Sequence, residues 1–210
     1  MSTTIDSYSL NAEGAKSIRA TSRLEEKGAY VGTITRAEAV TSSKGTHGVE
    51  LAFKTDDGRT ADYLSLWTVN ADGEGLPGRR VLDAIMAVAR LRKVSIAPGK
   101  VRKWDAAAGQ EAEKPAKVLP ELTGKRVGLF LVREEYAKND GTTGWKFIVI
   151  GAFDAETQAL PVEILEQRPP AGFDGFLASL RDRPLKASKS TAARAPAHAG
   201  SADDDQDIPF

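Results

Sequence analysis

Val49-Glu50-Leu51-Ala52-Phe53-Lys54-Thr55-Asp56-Asp57-Gly58-Arg59-Thr60-Ala61-Asp62-Tyr63-Leu64-Ser65-Leu66-Trp67 is the stretch on which the fold turns. Val49, Leu51 and Phe53 alternate with Glu50, Ala52 and Lys54, the period of a strand buried on one side. Asp56-Asp57-Gly58 then signals a tight turn, because glycine accepts the positive φ that such hairpins require. The return strand, Arg59 to Trp67, sets Leu64 and Leu66 on one face and Ala61, Tyr63, Ser65 and Trp67 on the other. Upstream, Tyr30 to Thr35 is rich in β-branched residues and runs into the polar, glycine-containing loop 41–48, so a three-stranded meander is the simplest reading.

Downstream the period changes. After Pro77-Gly78, the residues Val81, Leu82, Ile85, Val88 and Ala89 follow helical spacing, while Arg79, Arg80, Asp83 and Arg90 lie off that stripe. The spacing predicts an amphipathic helix of about four turns ending near Arg92. Residues 94–124 contain Pro98, Pro115 and Pro120 around the basic-aromatic patch Lys100-Val101-Arg102-Lys103-Trp104, and read as an insertion with room for a short strand. Two strands follow, Lys125 to Tyr136 and Trp145 to Phe153, joined by the loop 138–144.

Strand, strand, strand, helix, strand, strand is the order of an OB-fold, a five-stranded Greek-key barrel with its helix between strands three and four. The fold class expected is therefore all-β with one helix and a C-terminal tail. A generic small β-barrel, or an α+β sheet with one helix, is the alternative. In an OB barrel ligands lie across strands two and three, between the loop joining strands one and two and the loop joining four and five. Those loops are 41–48, carrying Lys44, and 138–144, carrying Lys138.

Composition narrows the chemistry. The chain has 210 residues, 29 Lys+Arg against 29 Asp+Glu, two histidines and no cysteine. Disulfides, thiol nucleophiles and Cys-ligated metals are thereby removed. Asp56 and Asp57 are explained as a turn, which leaves Asp62 without the company a magnesium site needs. His47 has no nucleophile beside it in the glycine-containing loop, and no Gly-Lys-Ser/Thr follows Gly73 to Gly78, so an ATPase is rejected. No catalytic residue, cofactor or metal is expected, and an enzyme is not the reading. No apolar run approaches the ~20 residues that span a bilayer, and no apolar leader precedes the body, so no membrane partner and a cytoplasmic location are expected.

The domain plan expected is an N-terminal extension over 1–27, a barrel over 28–168 with its insertion at 94–124, and a short amphipathic helix within 169–183, where Phe173, Phe176, Leu177 and Leu180 have helical spacing. A linker follows over 184–202, almost wholly Ala, Ser, Lys, Arg, Thr, Pro and Gly, with a random-coil reach of roughly 25 Å. The chain closes on Asp203-Asp204-Asp205-Gln206-Asp207-Ile208-Pro209-Phe210. Setting aside those four aspartates leaves 29 basic against 25 acidic side chains, so the body is mildly basic and its end strongly acidic.

That octapeptide resembles the acidic C-terminal tip of bacterial single-stranded DNA-binding proteins, in which aspartates precede a terminal Ile-Pro-Phe. Gln206 inside the acidic run departs from the usual pattern. The segment Gly45 to Arg92 is closer to the versions encoded by bacteriophages. The resemblance implies an OB domain that protects single-stranded DNA in replication, recombination and repair, with Asp203, Asp204, Asp205, Asp207, Ile208, Pro209 and Phe210 recruiting DNA-processing enzymes. It also implies a bacterial or phage-infected host and possible homo-oligomers. The chemistry of the tip supports this independently: Phe210 joins an aromatic ring to a free carboxylate, which an apolar pocket with one Arg or Lys can capture together.

Single-strand binding needs stacking rings and cations that track phosphates. Tyr63 and Trp67 lie opposite the leucines, Lys54 and Arg59 flank the hairpin turn, and Arg36 ends strand one. Lys100, Arg102 and Trp104 form the patch in the insertion. Trp145 beside Lys146 is a further candidate, although Phe147 and Val149 share its face and argue for core. The competing class is an interaction scaffold of the same fold whose barrel binds protein instead of DNA.

Overall fold

The alternation read around the hairpin sets the observed pairing. In the computed structural model, which describes residues 23–105, 109–138 and 140–185, strand β2 (His47–Thr55) pairs antiparallel with β3 (Thr60–Val69). Gly58 has φ +90° in the connecting turn, as the Asp-Asp-Gly signal requires. Leu51 and Leu64 face each other fully buried, and Leu66 is buried beside them. Strand β1 (Gly28–Thr41) organises the rest: it pairs with β2 from Gly32 to Thr41, and its first six residues pair with β6 (Arg126–Ala137). β6 in turn pairs with β7 (Thr143–Phe153).

Between β3 and β6 the chain forms helix α1 (Pro77–Val88) and a second hairpin, β4 (Ala97–Asp105) with β5 (Gln110–Val118). The result is a seven-stranded antiparallel sheet in the order β3-β2-β1-β5-β4, with β6 on β1 and β7 on β6. This corrects the five-strand expectation. Residues 94–124, read as an insertion with at most a short strand, hold two nine-residue strands. Pro98 and Pro115 obscured them, yet both are tolerated because β4 is an edge strand and β5 meets β1 only at Glu38 and Ala39.

Helix α1 begins where Pro77 occupies its first turn, with no side-chain cap. A Cβ on Gly78 would lie 2.3 Å from the Trp67 carbonyl oxygen, so only glycine lets the helix start pack on the β3 backbone. Leu82, Ile85 and Val88 enter the core. The helix ends at Val88, short of the expected Arg92, because Arg90 turns left-handed at φ +58°.

Ile34, Leu51, Phe53, Leu64, Ile85, Leu122, Val127, Leu129 and Leu131 form one core, in which side chains of the sheet meet those of α1. A second core lies on the other face of β6 and β7. Phe130 stacks on Phe176 at 4.3 Å and packs against Phe153 at 4.8 Å, with Leu180 buried alongside. Phe173 and Phe176 belong to α3 (Phe173–Ser179), which follows the short α2 (Pro161–Leu165). The amphipathic helix expected within 169–183 is therefore present as part of the body. At the other end, Leu24, assigned to an extension, is buried in the first core, and its N–H donates to the Thr60 carbonyl. The acidic tip, linker residues 186–202 and residues 1–22 lie outside the described residues. Among the described residues no helix is long and apolar enough to cross a membrane.

Candidate nucleic-acid interface

An irregularity in β3 shapes the surface. Leu51 pairs with Leu64 and Phe53 with Ala61, so two steps on β2 oppose three on β3. The extra residue is a bulge, and Tyr63 carries it at φ +59°. Ala61 and Leu64 consequently both point inward, while Asp62 and Tyr63 both face solvent. The expectation that Ala61 shares the Tyr63 face is corrected: it is 2% exposed against 46% for Tyr63.

Tyr63 stands between two adjoining grooves. The first, of about 910 Å³, runs between β1, β2 and β3 on one side and β4 on the other; Tyr63 and Arg36 face Lys100, Arg102, Lys103 and Trp104 across it. The second, of about 730 Å³, runs between β3 and the outer ends of β6 and β7, where Tyr63 and Ser65 face Arg133, Tyr136, Trp145 and Lys146. Arg23, Asp62 and Tyr63 line both.

Beneath the first groove lies a buried ionic quartet. Arg36 approaches Glu38 at 3.2 Å and Glu50 at 3.1 Å, and Lys103 reaches the same carboxylates at 2.6 and 3.1 Å. These contacts fasten β4 over β1 and β2. Burial pulls the Lys103 ammonium toward the neutral form, but the Glu38 and Glu50 carboxylates outweigh it and hold its pKa above the ordinary lysine value. The Arg36 guanidinium also sits 5.4 Å from the Tyr63 ring centre and donates to the Arg102 carbonyl at 3.3 Å. With 12% of its side chain exposed and two carboxylates around it, Arg36 supports Tyr63 from below and does not face a ligand as a free cation.

Of the expected residues, the fold brings Tyr63, Lys100, Arg102 and Trp104 together, with Arg36 underneath. Lys44, Lys54, Trp67 and Lys138 are exposed but line neither groove. Arg59 is also outside both; it pairs with Asp57 at 2.6 Å and lies over the Tyr30 ring. Asp56, in the hairpin turn, pairs with Arg126 at 2.8 Å.

Trp145 is the residue that sequence reading undervalued. It does share a face with Phe147 and Val149, but it lies near the end of the β6–β7 hairpin, opposite Glu135, where the core has run out. It is 46% exposed. The Arg133 guanidinium lies 4.9 Å from its ring, held by Asp182 at 2.8 Å. Burial works against the Asp182 carboxylate, yet the Arg133 contacts keep its pKa below the ordinary range. Tyr136 and Arg133 carried no sequence signal of their own, since each reads as an ordinary strand position.

No family model matches the chain, and no curated protein matches it in sequence.

Proposed function

We propose that this protein binds single-stranded DNA without sequence preference along the Tyr63 tract, and that its last eight residues recruit DNA-processing enzymes. One observation carries the reading: Trp104 and Tyr63 are 58% and 46% exposed in one groove, with Lys100 and Arg102 beside them. Large rings are normally buried, and rings held open in a concave, cationic surface suit bases that stack and phosphates that pair. Tyr63 adds support, because a bulky side chain at positive φ is a costly conformation that persists where the surrounding structure enforces it.

The barrel we infer is of OB type. Omitting β4 and β5 leaves β1, β2, β3, α1, β6 and β7, with β1 pairing both β2 and β6, and with β3 and β7 approaching each other. That is the OB order with a hairpin inserted between helix and fourth strand. The function needs no catalytic group, metal or cofactor. A bacterial cell or phage-infected host is the setting that the tip resemblance supports.

Titrating oligo(dT) while following tryptophan fluorescence tests the reading. Quenching and tight binding are expected, with duplex of equal length binding far more weakly because paired bases cannot stack on protein rings. Affinity should fall with salt at a log–log slope of about −0.7 per phosphate contact. Equal affinity for duplex and single strand would refute it.

A further inference from the structure

The second groove differs from the first in how its cations are occupied. Arg133 donates to Asp182 through Nε at 3.2 Å and Nη2 at 2.8 Å, and the Arg133 backbone N–H reaches the same carboxylate at 2.9 Å. Lys146 pairs with Glu134 at 2.9 Å. In the first groove Lys100 is 73% exposed and only loosely paired, 3.7 Å from Glu113, and Arg102 is exposed beside it. Arg23 is exposed and lines both grooves, so it does not set them apart. What the second groove adds of its own is ring surface, Trp145 and Tyr136, beside the shared Tyr63.

Its walls come from distant parts of the chain. Arg183 bridges β6 in parallel at Glu134, the Glu135 N–H donates to the Arg183 carbonyl, and the Leu185 N–H donates to the Glu135 carboxylate. The segment after α3 thus lies along the end of β6 and delivers Asp182 to Arg133, beneath Trp145. Arg133 also donates to the Glu25 carbonyl at 3.4 Å, joining the segment before β1 to the same support.

We infer that the second groove is a separate base-stacking annex, which takes the continuation of a strand already held in the first groove and binds it by stacking with little added phosphate neutralisation. Asp182 is its positioning residue, acting through Arg133. This rests on the proposed single-strand binding. Tyr63, lining both grooves, is where the strand passes from one to the other. Affinity should then rise with oligonucleotide length in two stages: a short oligomer fills the first groove, and a longer one gains the annex. The second gain should be nearly independent of salt, because stacking releases no counterions.

The test is an oligo(dT) length series measured by anisotropy at several salt concentrations, with the full chain and with Trp145→Ala, Trp145→Phe and Asp182→Asn. Trp145→Ala should leave short-oligomer affinity unchanged and remove a roughly 5- to 150-fold gain for longer ones, the span of one lost base platform. Trp145→Phe should restore most of it, and Asp182→Asn should lose part of it with the salt slope unchanged. A chain carrying Trp67→Phe and Trp104→Phe keeps Trp145 as the sole tryptophan; its fluorescence should respond only to the longer oligomers. If Trp145→Ala follows the parent at every length, or if the length-dependent gain shrinks as salt rises, as a gain from phosphate contacts would, the annex is overturned while single-strand binding stands. Failure of the parent to bind at any length overturns both.

Discussion

Replacing Tyr63 by glycine and, separately, by alanine isolates the backbone strain from the ring. Both substitutions remove the same exposed side chain and the same approach to Arg36 at 5.4 Å, so those losses cancel between the two variants. What remains is the backbone at φ +59°. In an ordinary strand glycine is about 0.5–1 kcal/mol less stable than alanine, because it loses more conformational freedom. At a left-handed position a Cβ costs about 1–2 kcal/mol, which glycine avoids. The order should therefore reverse here, with Tyr63→Gly more stable than Tyr63→Ala by about 0.75 kcal/mol, the difference between the centres of the two ranges. In urea, with an m-value of about 2 kcal/mol/M, that difference is a midpoint gap of roughly 0.4 M. Oligo(dT) affinity should fall for both by about 1–3 kcal/mol, since each has lost the same base platform. Tyr63→Phe should keep most of the binding. Alanine proving the more stable of the two by the usual margin would refute the bulge geometry, and unimpaired binding by both would refute the role of the ring.

Lys103→Met leaves Glu38 and Glu50, 6% and 14% exposed, with Arg36 as their remaining partner in the quartet; the expected loss is about 3 kcal/mol in urea unfolding, and adding Glu50→Gln should recover part of it. The Glu163 carboxylate accepts N–H donors from Leu160, Ala171 and Gly172 at 2.7–2.8 Å, and these hold its pKa below the ordinary glutamate value. A depressed folded pKa means that its stabilisation is complete above the ordinary value near 4.5 and is lost as pH falls below it. Comparing the parent with Glu163→Gln across that range should show a flatter acid limb in the variant, and identical limbs would exclude the clamp. Deleting Asp203 to Phe210 should leave the unfolding midpoint unchanged, abolish recruitment of DNA-processing enzymes, and modestly strengthen oligo(dT) binding at low salt only. Phe210→Ala should reproduce the loss of recruitment without the gain in DNA binding, and a pull-down in which it retains those enzymes like the parent would contradict the anchor.

Local pattern alone determined the β2–β3 hairpin, its Asp56-Asp57-Gly58 turn, the inward leucines, helix α1 and the β6–β7 pair. Each of these depends on neighbours a few residues apart, and alternation or helical spacing records which side of an element meets the core. The same alternation marked Tyr63 and Trp67 as outward rings, the basic neighbours of Trp104 drew attention to that ring, and the final octapeptide suggested a partner. Only the tertiary structure decided the rest. The bulge that turns Asp62 and Tyr63 outward comes from a register mismatch between two strands, which neither strand encodes by itself. Arg36 looks like any strand-end cation until Glu38, Glu50 and Lys103 are brought around it from three strands. Trp145 sits in a core-like pattern, yet it is exposed because β6 and β7 outrun the core they help to form. Prolines hid β4 and β5 because a missing N–H matters only where a neighbouring strand would have used it, and the sequence does not say which edge that is.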